Sequence, residues 1–322
     1  MLAFLAGRLE AARLEEAEEH LDGCGLCREA VAVVAAVGTG AEPRPRPKSA
    51  ARLRPGTRLD RYLLEGTLGQ GAMGVVYAAR DVVLDRRVAI KIPGLHEASA
   101  ADGFRREAQA MARLSHRNVV TVYCLGALPG GAGVYIAMEL IAGVTARRRI
   151  EEHALPWRSA LRIFVEAGQG LLAAHEVGLV HRDFKPDNVL VGDDGRVCVS
   201  DFGLSVPARA TGPGSLAGSP AYMAPEQMGG GPIDARTDVF AFSVSVYEAV
   251  YGVRPFAGRT LAALDEEIRA GRFSEPSRGG DLPRPVGEAI RAGLRGEPGE
   301  RPQLSELVAE LRRAHSAFSE PS

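Results

Sequence analysis

Between Tyr62 and Ile92 the chain alternates in short β-rich runs, Tyr62–Leu68, Val75–Ala79 and Val88–Ile92, separated by glycine turns. Apolar residues at period two between glycines favour an antiparallel meander, because hairpins need no crossover connection. The pattern then changes. A helix is expected over about 99–114, strands over Val119–Leu125 and Val134–Met138, and helical spacing takes over after Pro156. There Trp157, Leu161, Phe164, Val165, Leu171 and Leu172 fall on one stripe, and Asp238–Tyr251 reads as a second apolar helix. A small β-rich lobe followed by a larger helical lobe is an α+β arrangement, and ligands favour the cleft between such lobes.

Composition sets the outer limits. At 322 residues the chain has room for about two domains, and 46% hydrophobic with 25% charged residues excludes a wholly disordered or fibrous chain. Lys+Arg 39 against Asp+Glu 40 leaves a net charge of −1, so there is no global basic field to hold nucleic acid. Four cysteines are too few for a disulfide scaffold and point to a reducing compartment. The longest apolar run, Ala30 to Val37, is eight residues, where a membrane span needs about 20. Arg8, Glu10 and Arg13 interrupt the apolar start, unlike a secretory signal. The expectation is a cytoplasmic protein with neither nucleic acid nor membrane as partner.

Charge divides the chain further. Residues 1–42 hold eight acids against three bases, whereas Pro43 to Arg58 holds six bases and no acid, with prolines at 43, 45 and 47 keeping it extended. The division read from this is a helical module at 1–37, a Pro/Arg-rich linker at 38–57, a main domain at 58–312 and a tail at 313–322.

Five motifs in the main domain carry chemistry. Gly69-Gln70-Gly71-Ala72-Met73-Gly74 lies between two predicted strands, where glycines let backbone N–H groups approach phosphates without an intervening Cβ. A strand rather than a helix follows it, which counts against a dinucleotide-binding unit. Val88-Ala89-Ile90-Lys91 puts an ammonium on the third strand, and Glu107 stands 16 residues on as a candidate counter-ion. His181-Arg182-Asp183-Phe184-Lys185-Pro186-Asp187-Asn188, Asp201-Phe202-Gly203 and Ala224-Pro225-Glu226 follow in that order. Phosphoryl transfer builds charge on equatorial oxygens, so cations and positioned carboxylates are what it requires.

With these motifs the chain resembles the bacterial, eukaryotic-like (Hanks-type) Ser/Thr protein kinases over about residues 58–312. The resemblance implies a bilobal protein-kinase-like fold, and ATP and protein substrates as partners. Lys91 paired with Glu107 would hold the α- and β-phosphates beneath Gly69, Gly71 and Gly74. Asp201 and Asn188 would take Mg²⁺, with Mn²⁺ as the alternative. Asp183 would receive the substrate hydroxyl proton, and Lys185 would neutralise the γ-phosphate. Adenine would lie between Val76 and Ala89 on one side and Leu190 on the other, with Met138 as gatekeeper and Glu139 and Ile141 as hinge. Activation-segment phosphorylation at Thr211 or Ser215, with Ser205 the weaker candidate, would meet Arg182, and Ser219 stands where the family usually has threonine. Glu226 with Arg301 would form a buried pair, Asp238 would brace the catalytic loop, and Met111, His181 and Phe202 would stack between the lobes. Cys124 and Cys198 read as buried small hydrophobes. A transient homodimer is a further expectation. A binding protein without turnover would be expected to lack Lys91, Asp183 or Asp201; a small-molecule kinase would lack Ala224-Pro225-Glu226; a pure adaptor would need no complete ATP site.

His20-Leu21-Asp22-Gly23-Cys24-Gly25-Leu26-Cys27 spaces one imidazole and two thiols as zinc prefers. With the preceding leucines it is similar to the zinc-binding anti-sigma factor module, which implies Zn²⁺ on His20, Cys24 and Cys27 and a sigma factor or other regulator as partner. Residues 2–19 hold no further Cys or His. A fourth ligand would come from upstream of Met1, from an acid or from water, or the module is metal-free.

Overall fold

Alternating apolar residues in the first third of the domain build one antiparallel sheet. The computed structural model describes residues 53–71, 74–93, 110–129, 133–153, 155–202, 220–258, 260–276 and 281–317. The strands are β1 (Arg58–Leu59), β2 (Tyr62–Gly71), β3 (Gly74–Asp81), β4 (Arg86–Pro93), β5 (Val122–Ala127) and β6 (Val134–Glu139), in spatial order β1-β2-β3-β4-β6-β5. Asp60 and Asp85 take the left-handed turn positions, which aspartate tolerates. Leu64, Ala79, Val88, Ile90 and Ile136 are buried along this sheet.

A second, three-stranded sheet follows in the chain. It consists of β7 (Gly143–Thr145), β8 (Val189–Gly192) and β9 (Val197–Val199), paired antiparallel in that order. The helices are α1 (Ala146–His153), α2 (Trp157–Glu176), the short α3 (Pro225–Met228), α4 (Ala235–Tyr251), α5 (Leu261–Arg269), α6 (Arg284–Gly293) and α7 (Leu304–Ala317). Apolar side chains surround α4 on every side, and it is buried accordingly, with Phe240, Phe242, Val244, Val246 and Tyr247 all cut off from water. Its ends are defined: Asp234 accepts from the Arg236 N–H as N-cap, and Gly252 (φ 76°) closes the last turn in the left-handed region. Phe164 of α2, Phe184 and Phe242 meet edge-on or tilted with ring centroids 5.7–6.4 Å apart, joining α2, α4 and the loop from His181 to Asn188 in one core.

Several boundaries differ from the sequence reading, each for a local reason. The strand expected from Val119 starts at Val122, because Val119 and Val120 pair with Val199 and join the second sheet's edge (Val120 N–H to Val199 O, 3.0 Å). Helix α4 begins at Ala235 rather than Asp238 because the Asp234 cap lies upstream. Residues 54–57, at the end of the expected linker, hydrogen-bond to β2 (Gly56 N–H to Leu64 O, 2.8 Å), and α7 runs on to Ala317. Cys198 is fully buried, and burial pushes its thiol up to about 11; Cys124, in contrast to the expectation, is only half-buried, its sulfur 3.2 Å from the Tyr62 hydroxyl. The expected helical module at 1–37, the zinc ligands His20, Cys24 and Cys27, residues Glu107, Ser205, Thr211, Ser215 and Ser219, and most of the helix expected over 99–114 lie outside the described residues; residues 110–113 are helical.

Candidate active site

The loop from His181 to Asn188 is held in a conformation its own residues would not choose. Arg182 sits at φ 67°, a region that costs a side-chain-bearing residue roughly 1–2 kcal/mol. Asp238, fully buried at the first turn of α4, supplies the compensation. Its Oδ1 accepts from the Arg182 N–H (2.8 Å) and its Oδ2 from the His181 N–H (2.7 Å), with His175 Nε2 also 2.7 Å from Oδ2. His181 Nε2 donates to the Ser200 carbonyl at 2.9 Å and Nδ1 accepts from the Asp183 N–H at 3.3 Å, so both ring nitrogens are committed to the scaffold. Its ring lies tilted against Phe202 at 4.8 Å between centroids, and Met111 is buried in the same core.

That scaffold presents the polar groups of the cleft. Lys185 Nζ donates to Asp183 Oδ2 at 2.6 Å, and Asn188 Nδ2 donates to the Asp183 carbonyl at 2.8 Å. Lys91, buried on β4, donates from Nζ to Asp201 Oδ1 at 2.9 Å across the cleft. Burial alone would raise the Asp201 carboxyl, but the Lys91 ammonium outweighs it and holds the group below the usual carboxylate range. Asp201 is itself at φ 60°, a second strained backbone position in the site. Lys91 thus meets Asp201, and Asp183 meets Lys185 and Asn188; the Ser200 N–H, next to Asp201, donates to the Asn188 carbonyl (2.9 Å) and links the two sets, whereas Glu107, the expected partner of Lys91, lies outside the described residues.

Strand register arranges the apolar walls. Val76 of β3 pairs with Lys91, and Ala89 of β4 pairs with Met138 of β6. Leu190 lies on β8 opposite Cys198, and Val76, Ile141 and Leu190 are half-buried against the core. Gly69 and Gly71 end β2 with open space where a Cβ would project, and Gly74 (φ 117°) starts the return strand. The Glu139 N–H is already given to the Thr121 carbonyl (2.9 Å), so that donor is not free for a ligand.

Among the described residues, no group of three or more His, Cys, Asp or Glu side chains is placed to hold a metal ion by itself. Asp201 and Asn188 offer hard oxygen donors beside the cleft, and the Asn188 amide nitrogen is turned to Asp183. Such a sparse oxygen set suits Mg²⁺, which takes one or two carboxylates and completes its shell with water and substrate phosphates.

The protein kinase domain family matches residues 62–310. The chain belongs to the protein kinase family. It is 38% identical over 257 residues to the serine/threonine-protein kinase PknL of Mycobacterium tuberculosis, covering 77% of this chain and 59% of that protein. It is 35% identical over 277 residues to the serine/threonine-protein kinase PksC of Streptomyces coelicolor, covering 80% of this chain and 50% of that protein. The chain therefore spans about 59% or less of the length of these curated relatives. The crystal structure of the Mycobacterium tuberculosis PknI kinase domain shares the fold at a TM-score of 0.65 and 24% identity, over 82% of this chain and 100% of that one. No helix among the described residues is long and apolar enough to cross a membrane.

The kinase domain also contains contacts that no local sequence pattern signals. Gln227 Nε2 donates to the Arg182 carbonyl at 2.8 Å, tying the segment after Ala224 to the catalytic loop. Glu226 and Arg301 form the buried bidentate pair that the family resemblance implies, at 2.7 and 2.8 Å. Arg196 binds Glu139 (Nη2 to Oε2, 2.9 Å), and this pairing, against burial, lowers the Glu139 carboxyl. Arg147 of α1 reaches Asp187, Glu248 and Tyr222 together. Spacing cannot reveal these pairs, whose members stand 40 to 101 residues apart.

Proposed function

We propose that the domain is an ATP- and Mg²⁺-dependent protein serine/threonine kinase that transfers the γ-phosphate of ATP to protein hydroxyls. The observation carrying this reading is the 2.9 Å contact of Lys91 with Asp201 beside the Asp183–Lys185 pair at 2.6 Å. Asp183 orients the acceptor hydroxyl and takes its proton at a carboxylate oxygen. Lys185 lies against that carboxylate and places a positive charge where negative charge develops on the transferring group. Lys91 grips the α- and β-phosphates once nucleotide enters, and the walls around Val76, Ala89 and Leu190 exclude water from the adenine. Asn188 and Asp201 would hold the metal, whose chemistry is neutralisation of phosphate charge.

Finer assignments extend this reading. The kinase domain takes in residues 54–317, and residues 38–53 are a linker. Thr211 or Ser215 receives an activating phosphate, the protein works in the cytoplasm, and residues 1–37 bind Zn²⁺ through His20, Cys24 and Cys27 and receive a sigma factor or other regulator. What supports the last is the H-x₃-C-x₂-C spacing alone.

The test is labelled ATP, Mg²⁺ and a generic protein acceptor, with wild type compared against Asp183→Asn and Lys91→Met. Wild type is expected to label the acceptor and both variants to lose at least about a hundredfold in rate, the scale of removing a general base or a charge-stabilising group. Equal labelling by all three proteins would overturn the mechanism. Phosphopeptide mapping of the same wild-type reaction reports on Thr211 and Ser215, and zinc content of the full chain reports on residues 1–37.

A further inference from the structure

Arg147, in the first turn of α1, sits in a ring of oxygen acceptors drawn from three other parts of the fold. Nε donates to Asp187 Oδ2 at 2.9 Å, while Nη1 and Nη2 lie 3.3 and 3.2 Å from the two Glu248 oxygens. Nη2 also meets the Tyr222 hydroxyl, which in turn donates to Glu248. Arg254 supports Glu248 from the other side at 3.2 Å. The Arg147 side chain is 22% exposed and Asp187 is 46% exposed, so the ring opens to solvent on the Asp187 side. Burial opposes the charge on Arg147, yet its hydrogen bonds to Glu248 and Asp187 hold it above its ordinary value.

The position of this ring gives it meaning. Asp187 is two residues past Lys185 and four past Asp183, on the same loop. Tyr222 lies directly before Met223 and Ala224, in the segment that Gln227 fastens to the Arg182 carbonyl. A polypeptide presenting a hydroxyl to Asp183 must run past this loop and this segment. A carboxylate pair on that path would attract a basic side chain of the acceptor, and a guanidinium fills it from within.

We infer that Arg147 is a specificity-determining residue: it occupies the Asp187–Glu248 carboxylate pair in place of an acceptor arginine or lysine, and so biases the kinase toward acceptors without a basic residue beside the phosphorylated hydroxyl. This rests on the kinase reading above. Arg147 is a positioning group that touches neither nucleotide nor the reacting atoms.

The experiment uses the full chain with paired serine peptides, identical except that arginine replaces alanine at one flanking position at a time. The readout is the ratio of kcat/KM for each arginine peptide to that for its neutral partner. Wild type is expected to show a ratio near or below one at every position. Arg147→Ala is expected to raise the ratio at one position by about tenfold, the scale of a partly buried ion pair, mainly through KM. Adding Asp187→Asn to Arg147→Ala should return it toward wild type. An Arg147→Ala protein that turns over the neutral peptide with all ratios unchanged overturns the inference, as does a lowered Tm as the sole effect. Should Arg147→Ala fail to fold, Arg147→Gln, which keeps the stem and a hydrogen-bond donor, is read by the same ratio and the same criterion. Wild type that phosphorylates no peptide or protein at all overturns the kinase reading itself, a result distinct from unchanged ratios in an active enzyme.

Discussion

Arg301 shows how a single side chain can fix a distant loop. It is buried, and all five of its N–H donors are used: two on Glu226, and one each on the carbonyls of Arg236, Arg295 and Gly296. Glu226 receives a further hydrogen bond from Thr237 at 2.9 Å. A buried ion pair gains little over an apolar pair, but losing one member strands the other's charge away from water. Glu226→Ala is therefore expected to cost about 3–5 kcal/mol in denaturant unfolding. Arg301→Lys should be destabilising as well, because three ammonium donors cannot replace a five-donor fork. An unfolding midpoint unmoved by Glu226→Ala would show that the pair contributes nothing to the fold.

At the scale of elements, α2 is placed by what it lacks. A Cβ on Gly170 would stand 2.3 Å from the Asn118 carbonyl oxygen, and one on Gly168 would stand 2.5 Å from a Val308 methyl. The first obstacle is backbone that also pairs with Val199, so it cannot swing aside as a side chain can. Alanine gains up to about 1 kcal/mol over glycine in a helix interior, but overpacking against fixed backbone typically costs 1–3 kcal/mol. Gly170→Ala should thus lower Tm by several degrees, while Gly299→Ala, facing open space, should leave it within about a degree. Equal Tm values for the two variants would remove the argument. The same helix illustrates what the sequence could and could not reveal. The stripe from Trp157 to Leu172 announces α2, because its period is local, but nothing local announces that Gly170 faces Asn118, which is 52 positions earlier. The glycine hairpin and the loop from His181 to Asn188 were legible for the same reason, since their chemistry is contiguous. The contacts of Arg147 with Asp187 and Glu248, and of Arg196 with Glu139, were not, because these acids lie on other elements. Val119 was misread as strand because its β-branched side chain fits either sheet, and the pairing with Val199 decides between them.

For the kinase domain as a whole, the relation between the two sheets decides whether Lys91 and Asp201 can share one nucleotide. Glu139 ends β6 in the upper sheet, opposite Val88 of β4, and Arg196 lies in the turn before β9 in the lower one. Their pair is joined by the Arg196 Nε bond to the Arg117 carbonyl (2.7 Å) and by the Thr121 N–H reaching Glu139 Oε2 (3.4 Å). The clamp therefore connects the strand bearing Met138 to the hairpin that leads into Asp201, without touching the cleft's charged groups. Arg196→Ala and Glu139→Gln should each raise KM for ATP by about three- to tenfold with a smaller change in kcat, the scale of one half-buried pair. The double variant should be no worse than either single one, because they remove the same contact. The sign of the pH effect follows from the lowered Glu139 carboxyl. A depressed folded pKa adds stability above the unfolded value near 4.3, and that contribution is lost as pH falls through the folded value. Wild type should therefore lose part of its stability on acidification below about pH 4.3, and Glu139→Gln should show a flatter acid limb in the same Tm-against-pH series. Strictly additive KM effects in the double variant, or superimposable acid limbs, would show that the two sheets are held together elsewhere.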